Sequence, residues 1–168
     1  LRILDKTNGE FCLKGITCNQ NIDCLNEISN RHNCNNLGVS NKDISNDKNE
    51  ILIKKNTVYG IENFDSFIND NIDIYILAIS GLSGASLALK IAETGKTLAI
   101  ANKECIISLG KILTNKCREF ETSIFPLDSE HNAIHQLLHK NPKSIKNITL
   151  TASGGPFLDL DIEKFDSI

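Results

Sequence analysis

The feature of this sequence that most constrains its fold is the nearly continuous apolar run Ile72–Ile79. A run of this kind, without alternation of polar and apolar residues, predicts a parallel β-strand that is covered on both faces. The next segment, Gly84–Thr94, places Leu87 and Ile91 on one face of a helix. It closes at Gly95, a residue type that readily adopts the left-handed conformation in which helices often end. A buried strand followed by an amphipathic helix is the repeating unit of α/β folds.

The same alternation of strands and helices continues along the rest of the chain. Short apolar runs rich in β-branched residues predict strands, and apolar residues three and four positions apart predict helices. The other predicted strands are Phe11–Cys18, Asn35–Val39, Ile51–Ile53, Thr97–Ala101, Ser123–Leu127 and Asn147–Ala152. The other predicted helices begin at Asn21 and near Ile61, or cover Glu104–Phe120 and His131–Leu138. The polar stretch Ser40–Glu50 predicts a surface loop, and the whole order predicts right-handed βαβ crossovers and a doubly wound parallel sheet.

The composition favours a chain with a real core and excludes several functional classes. Of 168 residues, 40% are hydrophobic, and 18 Lys and Arg against 21 Asp and Glu give a net charge of −3. This balance excludes a disordered tail and a basic nucleic-acid arm, so no nucleic-acid partner is expected. No apolar stretch is long enough to span a membrane and the N-terminus lacks an apolar signal core, which predicts a cytoplasmic protein without membrane contact.

The cysteines and the chain ends carry two further expectations. The six cysteines include no C-x-x-C pair, and four of them precede residue 35 within predicted strands and helices. We therefore expect reduced thiols that mostly serve as small buried apolar side chains, rather than disulfides or a zinc site. The chain contains no Met, begins at Leu1 and ends at Ile168 shortly after a Gly-Gly-Pro turn, which predicts an internal fragment of a longer protein.

Polar residues cluster where the predicted strands end. In a doubly wound sheet, ligands bind at the carboxyl ends of the strands. The residues found there are Asn19-Gln20-Asn21, Ser80-Gly81, Asn102-Lys103-Glu104 and Asp128-Ser129-Glu130. Three histidines follow at helical spacing, His131, His135 and His139, and are interpreted as the polar face of a surface helix because no H-E-x-x-H arrangement is present.

Asp128 and Glu130 are candidate ligands of a divalent cation. They stand two residues apart at the end of a strand, so both carboxylates can lie on the same side of the chain. Two carboxylates suit Mg²⁺ or Mn²⁺. Helix capping is the alternative explanation, because Asp128 and Ser129 are favoured N-cap residues and Glu130 in the first turn suits the helix dipole.

Lys103 and Ser153 are candidate contacts for an anionic substrate. Lys103 lies between Asn102 and Glu104 at the end of a buried strand, where its ammonium can hold an anionic or carbonyl oxygen. The same residues also suit the solvated first turn of a helix. The two glycines after Ser153 let the backbone approach a phosphate, although they also suit an ordinary tight turn.

Three segments in order carry a resemblance to one enzyme family. These segments are Ala101–Glu104, Pro126–Ile134 and Leu150–Phe157. Together they closely resemble the central motifs of the 1-deoxy-D-xylulose 5-phosphate reductoisomerase family, and Gly15–Asn21 is more loosely similar to the second strand of that family's cofactor domain. The family's enzymes use NADPH and a divalent cation to form 2-C-methyl-D-erythritol 4-phosphate in the non-mevalonate isoprenoid pathway.

The resemblance implies a domain organisation and a set of site residues. A Rossmann-like cofactor domain is implied for residues 1–127, incomplete at its N-terminus, followed by the beginning of an α/β catalytic domain in residues 128–168. The implied ligands of a catalytic Mn²⁺, Mg²⁺ or Co²⁺ ion are Asp128 and Glu130. The implied catalytic residues are these two carboxylates and Lys103. The implied contacts with the sugar phosphate substrate are Lys103, Ser129, Glu130 and, at the phosphate, Ser153. The implied NADPH contacts are Asn19, Gln20, Asn21, Asn102 and Glu104.

Departures from the family pattern leave alternatives open. Asn19 and Gln20 stand where the family usually has a glycine and a basic residue near the adenosine 2′-phosphate, yet no acidic residue at this strand end favours NADH. The family's glycine-rich loop, third metal-binding glutamate, lid and C-terminal helical domain fall outside these 168 residues. We therefore expect the chain alone to be inactive and its parent to be a cytoplasmic homodimer. The alternatives are a non-catalytic truncated Rossmann module and another NADP-dependent dehydrogenase acting on a small substrate such as a semialdehyde.

Overall fold

The computed structural model describes residues 4–7, 9–46, 55–140, 143, 145–149, 159, 161 and 164. Within this part of the chain, six strands alternate with helices. No helix among these residues is long and apolar enough to cross a membrane. The chain divides into two compact units, Leu1–Asn132 and Ala133–Ile168, and the domain boundary expected after residue 127 stays a prediction.

The first sheet occupies the N-terminal part of the larger unit. Its three parallel strands are β1 (Gly15–Cys18), β2 (Asn36–Val39) and β3 (Asn56–Tyr59), in that order. Helix α1 (Ile22–Arg31) connects β1 to β2. It buries Leu25 against Leu37 and Val39 of β2, which is why the apolar residues of this helix recur at a helical period.

The second sheet contains the strands that the sequence predicts most clearly. Its three parallel strands are β4 (Ile74–Leu77), β5 (Thr97–Ile100) and β6 (Ser123–Pro126), in that order. The helices that connect or follow them are α2 (Ala85–Ile91), α3 (Lys103–Glu119) and α4 (Ser129–Lys140). The predicted α/β fold with parallel strands is confirmed, with the strands distributed over two three-stranded sheets.

The main core lies between the second sheet and its helices. Leu98 and Ile100 of β5 are fully buried and pack with Leu77 of β4 and with Leu113 of α3. A side chain of this size stabilises the fold by about 1.5–3 kcal/mol when it is fully buried. This core therefore fixes the strand ends from which the polar residues project.

A short 3₁₀ segment, Ile61–Phe67, joins the two sheets. Phe64 belongs to the core of the second sheet and contacts Phe67 edge to face, with ring centroids 5.8 Å apart. A Cβ atom placed on Gly15 or Gly38 of the first sheet would lie only 2.6 or 2.8 Å from these rings. Glycines at these positions thus let the two phenylalanines pack directly on the first sheet.

Two predictions about this region are corrected. The helix expected near Ile61 is a 3₁₀ segment rather than an α-helix, because its aromatic residues are placed by contact with the first sheet. The third strand of the first sheet is Asn56–Tyr59, which the sequence did not single out. The weak strand predicted over Ile51–Ile53 lies outside the described residues, and Lys42–Asn46, inside the predicted loop, forms a 3₁₀ turn.

The prediction that Ile72–Ile79 is covered on both faces is wrong. Tyr75 and Leu77 face the core, but Ile74 and Ile76 are 47% and 70% exposed. Successive side chains of a strand point to opposite faces, and none of the described elements covers the second face at β4. The apolar composition of this strand therefore does not report burial on both sides.

Two other expectations have mixed outcomes. All six cysteines are free thiols, as predicted, but only Cys34, Cys105 and Cys117 are buried, and Cys12 and Cys24 are exposed. Burial raises the pKa of the three buried thiols, so they remain protonated near neutral pH. Residues 147–149 of the strand predicted over 147–152 are not in a strand, and the rest of that segment lies outside the described residues.

Candidate functional site

The carboxyl ends of β5 and β6 lie side by side. Ile100 of β5 is paired with Pro126 of β6, and the amide of Leu127 donates a hydrogen bond to the carbonyl oxygen of Ile100 at 2.9 Å. The polar segments that follow these strands, Asn102–Glu104 and Asp128–Glu130, are therefore brought to one edge of the second sheet. These two segments supply the side-chain amide of Asn102, the ammonium of Lys103 and three carboxylates, those of Glu104, Asp128 and Glu130.

Asp128 precedes α4 and caps its first turn. Its Oδ2 accepts a hydrogen bond from the amide of His131 at 3.3 Å, and its Oδ1 lies 2.8 Å from His131 Nδ1. Burial opposes ionisation of this carboxyl, but the hydrogen bonds with His131 outweigh it and lower the pKa of Asp128. The capping interpretation is confirmed, and Asp128 is also ionised at neutral pH, as a metal-binding carboxylate must be.

Glu130 connects the two segments electrostatically. A hydrogen bond donated by Ser129 Oγ at 2.8 Å lowers the pKa of Glu130. The Lys103 ammonium lowers it further, whereas the Asp128 carboxylate raises it, so all three charged groups lie within electrostatic range. No three His, Cys, Asp or Glu side chains of the described residues are grouped so as to hold a metal ion. A cation at this edge would depend on Asp128 and Glu130 together with oxygen ligands from other groups.

Asn102 ties the loop after β4 to the start of α3. Its side chain is buried, and its Oδ1 caps α3 by accepting a hydrogen bond from the amide of Cys105 at 2.9 Å. Its Nδ2 donates to the carbonyl oxygens of Ile79 and Gly81. An asparagine amide has two N–H donors, so both are in use. The Asn102 side chain therefore fastens the loop after β4 to the first turn of α3, and the cofactor contact predicted for Asn102 stays a prediction.

A second polar edge lies at the carboxyl ends of β1 and β2. Ser40 Oγ donates to Asn19 Oδ1 at 2.8 Å, and the amide of Asn41 donates to the carbonyl oxygen of Asn19 at 3.1 Å. Asn21 caps α1, its Oδ1 accepting from the amide of the third helical residue at 3.1 Å. Gln20 lies exposed between them. Three of the predicted cofactor residues thus occupy one rim of the first sheet.

Some site residues lie outside the description and others were missed. Ser153 and the turn after it are outside the described residues, so the predicted phosphate contact stays a prediction. The pairing of His131 with Asp128 was missed, although the spacing of three residues could have indicated it. Lys42 was missed because it lay in a segment predicted as a loop, and its Nζ lies 2.6 Å from Glu62 Oε1.

Comparison with known families identifies relatives of both parts of the chain. Residues 1–110 match the family model described as 1-deoxy-D-xylulose 5-phosphate reductoisomerase, and residues 124–168 match that of its C-terminal domain. The reductoisomerase of Wolbachia pipientis subsp. Culex pipiens (strain wPip) is 34% identical over 169 residues, which cover 99% of this chain and 43% of the relative. That of Sulfurihydrogenibium sp. is 44% identical over 102 residues. The chain spans less than half the length of the curated relative that it matches from end to end.

Solved structures of 1-deoxy-D-xylulose 5-phosphate reductoisomerases are also similar to this chain. The reductoisomerase from Zymomonas mobilis in complex with NADPH has a TM-score of 0.82 and 29% identity, covering 99% of this chain and 45% of that one. A reductoisomerase in complex with magnesium has a TM-score of 0.79 and 25% identity, and again 45% of that chain is covered. A complex with NADPH, fosmidomycin and magnesium has a TM-score of 0.74 and 25% identity, with 44% of that chain covered.

Proposed function

The chain belongs to the 1-deoxy-D-xylulose 5-phosphate reductoisomerase family, and we propose that it supplies the NADPH-binding part and two metal-binding carboxylates of an enzyme with that activity. The proposed reaction is the rearrangement and NADPH-dependent reduction of 1-deoxy-D-xylulose 5-phosphate to 2-C-methyl-D-erythritol 4-phosphate, in non-mevalonate isoprenoid precursor synthesis. The observation that carries the proposal is the meeting of Lys103, Asp128 and Glu130 at one edge of the second sheet.

Asp128 and Glu130 have the donor chemistry of a Mg²⁺, Mn²⁺ or Co²⁺ site. Such sites often use one or two carboxylates, while water and substrate oxygens complete the coordination. The pKa values of both carboxyl groups are lowered, so both are anionic at neutral pH. A divalent cation, when bound, stabilises negative charge that develops on substrate oxygens.

Lys103 and Ser129 orient the substrate in this proposal. Lys103 is the first residue of α3, whose N-terminus is capped by the buried side chain of Asn102, and its ammonium lowers the pKa of Glu130. An ammonium in this place binds an anionic or carbonyl oxygen of the sugar phosphate. The Ser129 hydroxyl, now bonded to Glu130, lies beside the same edge, and Ser153 remains the predicted contact to the substrate phosphate.

The rim of the first sheet fits the adenosine end of NADPH. Asn19, Gln20 and Asn21 offer amide groups and Ser40 offers a hydroxyl, with no carboxylate directly at the end of β1. Glu104, in the first turn of α3, is proposed to lie near the nicotinamide end. NADPH, when bound, supplies the hydride for the reduction. A homodimeric, cytoplasmic parent enzyme completes the proposal.

The proposal is tested by grafting the chain into a full-length relative. The matched segment of the Wolbachia strain wPip enzyme is replaced by this chain, and NADPH oxidation is followed by nicotinamide absorbance. We expect oxidation only when both 1-deoxy-D-xylulose 5-phosphate and Mn²⁺ are present. Lys103→Gln should lower kcat/KM by about 100-fold or more, as loss of an oxyanion-binding donor typically does.

The matched control is Lys111→Gln, which removes an exposed lysine from the part of α3 that follows the non-helical residue Gly110. It should leave kcat/KM within about twofold, as expected of a surface substitution. A graft that is folded by circular dichroism but turns over no substrate would favour the non-catalytic module. A graft that oxidises NADPH with a semialdehyde, and without a cation, would favour the dehydrogenase.

A further inference from the structure

At the rim formed by the ends of β1 and β2, the residues that follow β2 lie next to the end of β1. The Asn41 amide donates to the Asn19 carbonyl oxygen at 3.1 Å, and the Ser40 hydroxyl donates to Asn19 Oδ1 at 2.8 Å. The Asn41 Oδ1 in turn accepts a hydrogen bond from the amide of Asp43 at 3.0 Å. This turn fixes the backbone of Lys42 at the rim.

Lys42 is the one cation among the described residues that directly follow β1, β2 and β3. Its Nζ lies 2.6 Å from Glu62 Oε1, with side chains that are 67% and 51% exposed. The hydrogen bond from Lys42 lowers the pKa of Glu62. An ion pair between two such exposed side chains is weak, so an anion of higher charge can replace Glu62 at low cost.

The place of this lysine matters because of how dinucleotides bind to Rossmann-like sheets. The adenosine ribose of the cofactor meets the end of a strand in the first half of the sheet, where a carboxylate selects NAD and a nearby cation accommodates the 2′-phosphate of NADP. The end of β1 carries Asn19 and Gln20, whose amides are neutral. The Lys42 side chain lies on the β3 side of β2, against Glu62 and beside Gly60. When it leaves Glu62 and turns toward β1, which is about 4.8 Å from β2, its ammonium can reach a phosphate bound above the end of β1.

We propose that Lys42 is the specificity-determining cation that binds the adenosine 2′-phosphate of NADPH, exchanging Glu62 for the phosphate. This inference rests on the proposed function only in that the first sheet binds NADPH. A phosphate dianion offers three acceptor oxygens and a higher charge than one carboxylate, which favours the exchange. Glu62 competes with the phosphate for Lys42, so the two residues have opposite effects on binding.

The test compares two nucleotides that differ only in the 2′-phosphate, adenosine 2′,5′-bisphosphate and adenosine 5′-monophosphate, by isothermal titration of the full chain. We expect Lys42→Gln to lower the affinity for the bisphosphate by about tenfold, because one charge-assisted contact is lost. The monophosphate should change by less than about twofold, because no contact to it is removed. Glu62→Gln should raise the affinity for the bisphosphate. Added salt should reduce the difference in affinity between the bisphosphate and the monophosphate.

The chain offers a matched control pair in Lys90 and Asp65. These side chains form a second exposed lysine–carboxylate ion pair, 51% and 44% exposed, between α2 and the segment Ile61–Phe67. Lys90→Gln and Asp65→Asn should leave the affinity for both nucleotides unchanged. The unfolding midpoint in urea checks that all four variants are folded.

Three outcomes would overturn the inference. One is a wild-type chain that binds both nucleotides equally, another is a Lys42→Gln variant that keeps the wild-type preference, and the third is an equal loss in Lys90→Gln. None of these results bears on the metal carboxylates or on turnover by the graft. A failed graft with the expected nucleotide preference would instead reject the proposed reaction and keep Lys42 as a phosphate-binding residue.

Discussion

Replacing Asn102 by aspartate is expected to lower the free energy of unfolding of the chain by at least about 3 kcal/mol, because it places an unpaired charge in a buried site. Aspartate keeps the oxygen that caps α3 but loses both N–H donors. The carbonyl oxygens of Ile79 and Gly81 then lose their partner and face a carboxylate. Urea denaturation followed by circular dichroism measures the change.

The matched control for this prediction is Asn21→Asp. Asn21 is also an asparagine N-cap, accepting a hydrogen bond from the amide of Cys24 at 3.1 Å, but it is exposed. Aspartate caps helices as well as asparagine does, so the free energy of unfolding should change by less than about 0.5 kcal/mol. Equal effects of the two substitutions would show that Asn102 acts only as a helix cap and does not hold the loop after β4.

Replacing Gly38 by alanine is expected to lower the free energy of unfolding by about 1–3 kcal/mol through overpacking. The added Cβ would lie 2.8 Å from Phe64 Cε1 and from Thr17 Cγ2, and 3.0 Å from Phe67 Cε2. None of these atoms is the end of a long flexible side chain. The strain should be partly relieved by Phe64→Leu in the same chain, which a double-mutant cycle measures as a coupling energy.

Gly84→Ala should act in the opposite direction. The atoms nearest to its added Cβ lie at 3.5 Å, which is ordinary contact, and Gly84 has a φ of −80° that alanine adopts freely. Alanine there reduces the entropy of the unfolded chain and should raise the free energy of unfolding by up to about 1 kcal/mol. If Gly38→Ala left the free energy of unfolding unchanged or raised it as Gly84→Ala does, the packing of Phe64 on the first sheet would be contradicted.

Much of the fold could be predicted because hydrophobic periodicity reflects burial. The strands β4 to β6 and their helices each carry an apolar pattern that is set by the local chain. The strand Asn56–Tyr59 escaped prediction because its place depends on pairing with β2, which four residues of mixed polarity do not signal. The exposed face of β4 shows that an apolar residue is not always a buried one, since Ile76 is 70% exposed and none of the described elements covers it.

The candidate site was predictable in its position more than in its contacts. Parallel strands bring their carboxyl ends to one edge, so the proximity of Lys103 and Glu130 follows from topology. The two donated hydrogen bonds of Asn102 depend on the path of the loop after β4, which no spacing encodes. The ion pair of Lys42 with Glu62 joins residues 20 positions apart through the pairing of β2 with β3.

Equilibrium binding of Mn²⁺ to the chain, measured by the electron paramagnetic resonance signal of free Mn²⁺, tests directly whether Asp128 and Glu130 form a metal site. We expect one Mn²⁺ site, whose affinity Asp128→Asn lowers by about tenfold or more because one of two anionic ligands is lost. Asparagine preserves the cap of α4, so the variant should remain folded. Asp70→Asn, which alters an exposed carboxylate elsewhere, should leave the affinity unchanged. Mn²⁺ binding that is absent in the wild-type chain, or that is the same in Asp128→Asn, would contradict the assignment of Asp128 and Glu130 as the metal-binding pair.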